Sequence, residues 1–322
     1  MILTALVLLA GIYMGWNLGA NDGANSMGTA VGARVRTVRE AVILVAVFGF
    51  LGATIYGRGV IKTIGRGIVP LDELSGNVSL VVALAAMFGA SLWLQIASYL
   101  KIPVSTTHST VGAVAGAGLA YGNVTLQWGR LVEVVVAWLV TPLGAGLLAY
   151  ILYQILRRLI LPRWPLEDRT FGWLLTASGI YMAFTWGSND VANATGVMVG
   201  AGVLSSTQAA LLGGVAIAAG VAMWGPRVME TVGSGITSLQ PAMAFIAELA
   251  AALNVHIYTA LGIPVSTTHA IVGAIVGVGL VHGRAAVNAK TGRDIMIAWG
   301  ATPVAAGIVT FILFKLFQAV FL

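Results

Sequence analysis

Four short motifs occur twice in this chain, in the same order and at nearly constant spacing, so the fold must accommodate two equivalent halves. Gly19-Ala20-Asn21-Asp22-Gly23-Ala24-Asn25 returns as Gly187-Ser188-Asn189-Asp190-Val191-Ala192-Asn193. The stretch 57–68 returns as 225–236, and Ile102-Pro103-Val104-Ser105-Thr106-Thr107-His108 returns as Ile263-Pro264-Val265-Ser266-Thr267-Thr268-His269. Trp138 with Thr141-Pro142 returns as Trp299 with Thr302-Pro303. The match extends to flanking positions, Tyr13-Met14 with Tyr181-Met182. The most polar stretch, 157–169, carries two prolines and four arginines and separates repeat one (1–156) from repeat two (170–322).

Only 9% of the residues are charged and 58% are hydrophobic, whereas a soluble domain carries about 25% charged residues. So few charges cannot cover a water-facing surface, and the expected solvent is a lipid bilayer. The 41 glycines fall inside apolar runs, where they let helix backbones approach closely. With no cysteine, disulfides and thiolate metal sites are excluded. The formal charge of +6 comes from basic residues scattered between apolar segments, which reads as membrane orientation rather than nucleic-acid binding. The apolar run from Met1 to Tyr13 lacks a basic leader and a small-residue cleavage site, and is read as the first membrane helix. Nucleotide-binding and hydrolase motifs are missing, so neither an enzyme nor a cofactor is expected.

The loops give the relative orientation of the halves. Arg34, Arg36 and Arg39 follow the first motif, but its counterpart at 203–208 is uncharged; the loop at 282–293 holds His282, Arg284, Lys290 and Arg293, but its counterpart near 121–130 has only Arg130. Equivalent loops of opposite basic content lie on opposite sides of a membrane. The expectation is an all-α polytopic protein of two inverted-topology repeats with broken helices and re-entrant hairpins, a design typical of secondary transporters. The linker 157–169 is then cytoplasmic and both termini extracytoplasmic, although Arg58, Lys62 and Arg66 place a basic 57–75 loop on the outer side.

Each Asn-Asp motif sits in an otherwise apolar segment, where an aspartate costs about 2.5–3.5 kcal/mol. Asp22 with Asn25, and Asp190 with Asn193, stand three apart and share a helix face. Each pair offers hard oxygens for a small cation such as Na+, and the adjoining glycines permit a helix break that frees carbonyls for the same ion. The simpler alternative, hydrogen bonds that tie helices together, explains one copy better than two. Ser105-Thr106-Thr107 and Ser266-Thr267-Thr268 each open a Gly/Ala/Val-rich helix after a proline. Such N-termini cap themselves, and they also suit an oxyanion; two of them related by inversion would aim at one midplane cavity. The preceding segments, about 78–101 and 242–262, complete the hairpins.

His108 and His269 are expected as structural hydrogen-bond partners, with a proton relay as the sharper alternative. Gly28/Gly32, Gly112/Gly116, Gly196/Gly200 and Gly273/Gly277 are spaced for helix packing. Lys62 and Glu230 occupy equivalent positions with opposite charge and are read as loop-end residues that snorkel. Trp93, Trp128, Trp138, Trp164 and Trp299 suit interfacial belts.

These duplicated ND-x-A-N and PVSTTH motifs resemble those of the inorganic phosphate transporter (PiT) family across the whole chain. The resemblance implies phosphate import coupled to Na+ or H+ at a multi-pass plasma-membrane protein, a site at the repeat interface, and a homodimer. It assigns Asp22, Asn25, Asp190 and Asn193 to ion and substrate contacts, and the six hydroxyls to phosphate. The chain departs from animal members in having Gly49 and Ile217 where those carry a glutamate, and in lacking their long hydrophilic insertion. The expected function is Na+-coupled phosphate symport by alternating access. Proton-coupled phosphate transport, sulfate symport and a passive anion channel are the alternatives.

Overall fold

The computed structural model describes residues 1–99, 104–122, 126–164, 166–235, 240–281 and 289–322, and the side chains of these except at 98, 227–235 and 289–295. Ile102, Pro103, Pro165, His282 and Arg284, and the side chains of Glu230, Lys290 and Arg293, lie outside the described residues.

The first half comprises α1 (Ile2–Asp22), a 3-10 turn (Gly23–Ser26), α2 (Gly28–Gly32), α3 (Val38–Tyr56), α4 (Arg58–Arg66), α5 (Gly76–Tyr99), α6 (Thr106–Tyr121) and α7 (Trp128–Ile155). The second half comprises α8 (Asp168–Gly200), α9 (Ser206–Gly235), α10 (Pro241–Ala260), α11 (Thr267–Leu280) and α12 (Ala289–Phe321). Among the described residues, seven helical stretches are long and apolar enough to cross a membrane. By that hydropathy criterion α8 is not one of them, although its 33 residues reach about 50 Å. It carries the second Asn-Asp motif and is buried along most of its length, so other helices rather than lipid surround it.

Close glycine contacts give the helix directions. Gly11 faces Met198 and Ala194, Gly15 faces Ala194, and Gly23 faces Trp186. The two equivalent helices α1 and α8 therefore run antiparallel, and the repeats are inverted. Gly49, Gly57 and Gly65 meet Trp186, Val191 and Gly196 in turn, so α3 and α4 climb together beside α8. In the same sense α1 runs beside α9, with Gly15 on Ala216 and Gly19 on Ile217.

Helices α5 and α6 form a hairpin that enters and leaves on one side. Phe88 and Tyr121 both reach α12, at Phe317 and Phe314. At the other end Tyr99 lines a cleft with Asn21, and Thr106 touches Asp22. Helices α10 and α11 repeat this from the opposite side. Each hairpin packs on the last helix of the other half: Gly112 and Gly116 lie on Pro303 and Gly307, and Gly273 and Gly277 lie on Pro142 and Gly146. A Cβ at any of these four glycines would stand within 2.3 Å of a backbone oxygen, so the spacing serves close helix approach. Each half thus crosses three times and adds a hairpin, and both termini fall on one face, opposite the segment joining α7 to α8.

Three local expectations are corrected. The 57–75 stretch is largely helix: Val60, Ile61 and Ile64 are buried, while Arg58, Lys62 and Arg66 line the exposed face. Trp138 is buried rather than interfacial, with its ring 3.8 Å from that of His108, and Trp299 stacks on His269 at 3.4 Å. The helix break occurs in α1 alone, for α8 continues unbroken through Asp190. Gly23 stands where the second copy has Val191; its dihedrals are helical (φ −55°, ψ −29°), and a Cβ there would meet the Val221 side chain at 2.7 Å, so the glycine serves close packing at the break.

Candidate functional site

The hairpin tips meet at the centre. Thr107 Oγ1 donates to the Val265 carbonyl at 3.1 Å, and the rings of His108 and His269 lie 4.5 Å apart. Ser105 and Ser266 are N-caps, each accepting from the backbone N–H of its own motif histidine at 3.3 and 3.2 Å. The first N–H groups of a helix have no intrahelical partner, so α6 and α11 turn their donor ends, and the positive ends of their dipoles, toward this region.

Each Asn-Asp motif grips both tips. Thr106 Oγ1 donates to Asp22 Oδ2 at 2.6 Å, and Thr267 Oγ1 to Asp190 Oδ2 at 3.4 Å, each within one repeat. The asparagines reach across the repeats: Asn25 Nδ2 donates to Thr268 Oγ1 at 3.0 Å, and Asn193 Nδ2 to Thr107 Oγ1 at 3.1 Å. All ten of the acid, amide and hydroxyl positions singled out from sequence therefore converge on one cluster.

Asp190 Oδ1 and Asn193 Oδ1 are buried and unpartnered. Two acceptor oxygens turned into a dry site need an electropositive group, since an unmet buried acceptor costs about 1–3 kcal/mol. A small cation meets that need, and so does the O–H of a protonated oxyanion.

The histidines do something else. Trp138 and Trp299 lie four residues before Pro142 and Pro303, and a proline inside a helix removes the N–H that would have bonded that carbonyl. His269 Nδ1 lies 3.4 Å from the Trp138 carbonyl and His108 Nδ1 3.0 Å from that of Trp299. Each hairpin thus supplies the donor that the proline in the opposite repeat took away.

The cluster is closed unevenly. Asn193 is 1% exposed and Thr107 0%, whereas their counterparts Asn25 and Thr268 are only partly buried. The latter pair lies on the side of the α7–α8 connection, so the cluster is more deeply covered toward the termini than toward the linker.

The profile of the phosphate transporter family matches twice, over residues 18–168 and 165–310. The chain belongs to that family. It is a multi-pass membrane transporter of phosphate, and not an enzyme. A candidate phosphate permease of Pyrococcus furiosus is 34% identical, with 96% of this chain and 95% of that protein covered. The chloroplastic inorganic phosphate transporter 2-1 of Arabidopsis thaliana is 32% identical over 95% of this chain and 70% of its own length. A solved structure described as the sodium-dependent phosphate transporter superposes with a TM-score of 0.92 at 28% identity, covering 99% and 100% of the two chains.

Two features of the transporter escape the motif reading. Asn189 clamps the second hairpin, donating to Thr259 Oγ1 at 2.9 Å and accepting from the Val265 N–H at 3.2 Å; it stands in the motif but was not expected to hold a tip. Glu248 on α10 is fully buried. Its one sequence signal is a lone acid within the apolar stretch 241–263.

Proposed function

We propose that the transporter imports phosphate in symport with Na+ by alternating access. The observation that carries this reading is the crosswise grip, in which each Asn-Asp motif holds the hairpin tips of both repeats. Phosphate would sit on the two opposed helix ends, held by N–H groups and by the hydroxyls of Ser105, Thr106, Thr107, Ser266, Thr267 and Thr268, with Asn25 and Asn193 beside it. Asp22 and Asp190 would hold cations next to the anion. Each charge lowers the cost of bringing the other out of water, so the two ligands bind cooperatively, and that is the physical basis of coupling. Na+ rather than H+ is favoured by the unpartnered oxygens of Asp190 and Asn193. It is favoured too by the His108 and His269 contacts to tryptophan carbonyls, which occupy the Nδ1 atoms that a proton relay would use. The likeness to a sodium-dependent phosphate transporter supports the same ion.

The expected orientation puts the 157–169 linker in the cytoplasm, in a plasma-membrane homodimer. On that orientation the less covered side of the cluster is the inner one, and the basic mouth near Lys62 faces outward, where it would attract anions.

Uptake of radioactive phosphate into proteoliposomes tests the reading. An inward Na+ gradient is expected to drive accumulation that Asp22→Ala abolishes. Uptake indifferent to that gradient but driven by protons would replace the ion, and uptake indifferent to both would leave a channel. Sulfate is separated by Asp190→Asn, which removes an acceptor for the phosphate O–H and is expected to impair phosphate more than sulfate.

A further inference from the structure

The turn after α2 is built twice, once in each repeat. Val35 N–H donates to the Ala30 carbonyl at 2.9 Å, and in the register of the Asn-Asp motifs Val203 N–H donates to the Met198 carbonyl at 2.9 Å. The residue before each valine is left-handed, Arg34 at φ 58° and Gly202 at φ 71°. Glycine takes this conformation freely, so the backbone gains nothing from an arginine at 34. Arg36 likewise stands where the second copy has Leu204, and Arg39 where it has Thr207. One turn geometry thus carries three cations on the linker side and none on the opposite side.

Membrane orientation needs such charges only in number, yet Arg36 is fixed in place. Its guanidinium lies over the Trp173 ring, 4.6 Å from the centroid, and Nη1 donates to the Val35 carbonyl at 3.0 Å. Arg36, Arg169, Asp168, Trp173, Val35 and Pro241 line a cavity of about 500 Å³ between this turn and the starts of α8 and α10. Neither arginine is held by a carboxylate: among the described residues the ion pairs are Arg66–Asp72 and Arg130–Glu133. Glu40 is engaged in the cap of α3, where it accepts from the Thr37 N–H and Oγ1 at 2.8 and 2.9 Å. The equivalents of Arg169 and Trp173 are Met1 and Ala5, so the second copy of the framework lacks both guanidinia and the indole.

We propose that this cavity is a headgroup slot for an acidic phospholipid of the linker-side leaflet. A guanidinium stacked flat on an indole keeps its N–H edges free, and those edges match two oxygens of a phosphodiester. Two guanidinia against the single carboxylate of Asp168 leave one positive charge in the slot. That balances the one negative charge of a phosphatidylglycerol headgroup, whose hydroxyls can donate to Asp168. Trp173 is 61% exposed in the second turn of α8, where an indole suits the headgroup layer, and this favours a lipid over free phosphate. Basic pockets between membrane helices recognise lipid phosphates in the same way. Arg36 comes from the first half of the chain, Arg169 and Trp173 from the second. Because α2 lies beyond the interruption of α1, a bound headgroup tethers the far end of that helix to the start of α8. Binding does not depend on symport; an effect of the lipid on transport rests on the alternating access proposed above.

The test is native mass spectrometry of the purified protein in detergent, titrated with dioleoylphosphatidylglycerol. The wild type is expected to retain one lipid that Arg36→Leu and Arg169→Gln each weaken about tenfold, as for loss of a charge-assisted contact. Arg36→Leu installs the residue of the equivalent turn and so keeps the fold. Arg36→Lys preserves the charge without the flat stack, and is expected to bind severalfold more weakly than wild type. Arg39→Gln removes a cation of the same face outside the cavity and is expected to stay within about twofold of wild type, since exposed charges are screened. Dioleoylphosphatidylethanolamine, neutral overall, is expected to bind about tenfold more weakly, and millimolar inorganic phosphate to displace no lipid. Equal losses in Arg39→Gln and Arg36→Leu would mean diffuse attraction and overturn the slot. So would a wild type that retains no lipid, phosphatidylethanolamine held as tightly as phosphatidylglycerol, or displacement by inorganic phosphate.

Discussion

A proline inside a membrane helix exposes a carbonyl to a solvent that cannot hydrogen-bond it, and at Trp138 and Trp299 a histidine from the other repeat answers that need. If His108 acts as this donor, His108→Phe leaves the Trp299 carbonyl unmet and costs about 1–3 kcal/mol. His108→Asn, whose amide can still donate, is expected to restore much of the loss. Thermal unfolding in detergent measures both, and equal destabilisation by the two would refute the donor role. At this scale the sequence displayed the reactive residues but not their partners. Asp22, Asp190 and the hydroxyls stand out because polar groups are rare in apolar segments, whereas the reach of Asn25 to Thr268 joins residues far apart in the chain. Glu248 stayed unremarked because a single acid without a repeated partner carries no pattern.

The helices pack through glycine more than through large side chains. Gly116 lies where a Cβ would meet the Gly307 carbonyl at 2.3 Å, while Gly129 has open space around it. Gly116→Ala is expected to force α6 away from α12 and cut the yield of monodisperse protein severalfold, with Gly129→Ala close to wild type; size-exclusion chromatography reads the difference. The same crowding explains Gly49, whose carbonyl lies 2.0 Å from the place of a Cβ on Gly187, and whose own Cβ would meet the Trp186 ring at 2.9 Å. Helix existence and the hairpins were legible from apolar runs and cap residues. The helix at 58–66 was not, because its charges spaced four apart look like a polar loop until the apolar face between them is matched to α8. Trp138 and Trp299 misled for another reason: each ring packs on the motif histidine of its own repeat, about thirty residues away, a contact that no local pattern announces.

On the scale of the whole molecule, inversion was legible in the basic content of equivalent loops and is seen in the antiparallel run of α1 and α8. One mouth is marked by charge. Lys62, Arg66 and Arg130 line a cavity of about 380 Å³ with Thr63 and Ser206. Thr63 in turn donates to the Gly262 carbonyl at the second hairpin tip, at 2.6 Å. Lys62→Gln/Arg130→Gln is expected to raise the half-saturating phosphate concentration severalfold at low ionic strength with kcat unchanged. At high salt the difference should vanish, since screening shortens the reach of these charges to a few ångströms. A shift that ignores salt would mean direct binding instead.

The uninterrupted course of α8 past Asp190, set against the interruption of α1 after Asp22, makes the walls of the pocket mechanically unequal. One wall is a rod in which each turn is tied to the last; the other is jointed just where it passes toward the linker. On the proposed alternating access, rocking would flex the joint before it bent the rod, so the linker-side mouth would yield to a local hinge while the opposite mouth would move only with the tilt of a whole bundle. Twofold symmetry of design therefore ends in two walls of different stiffness.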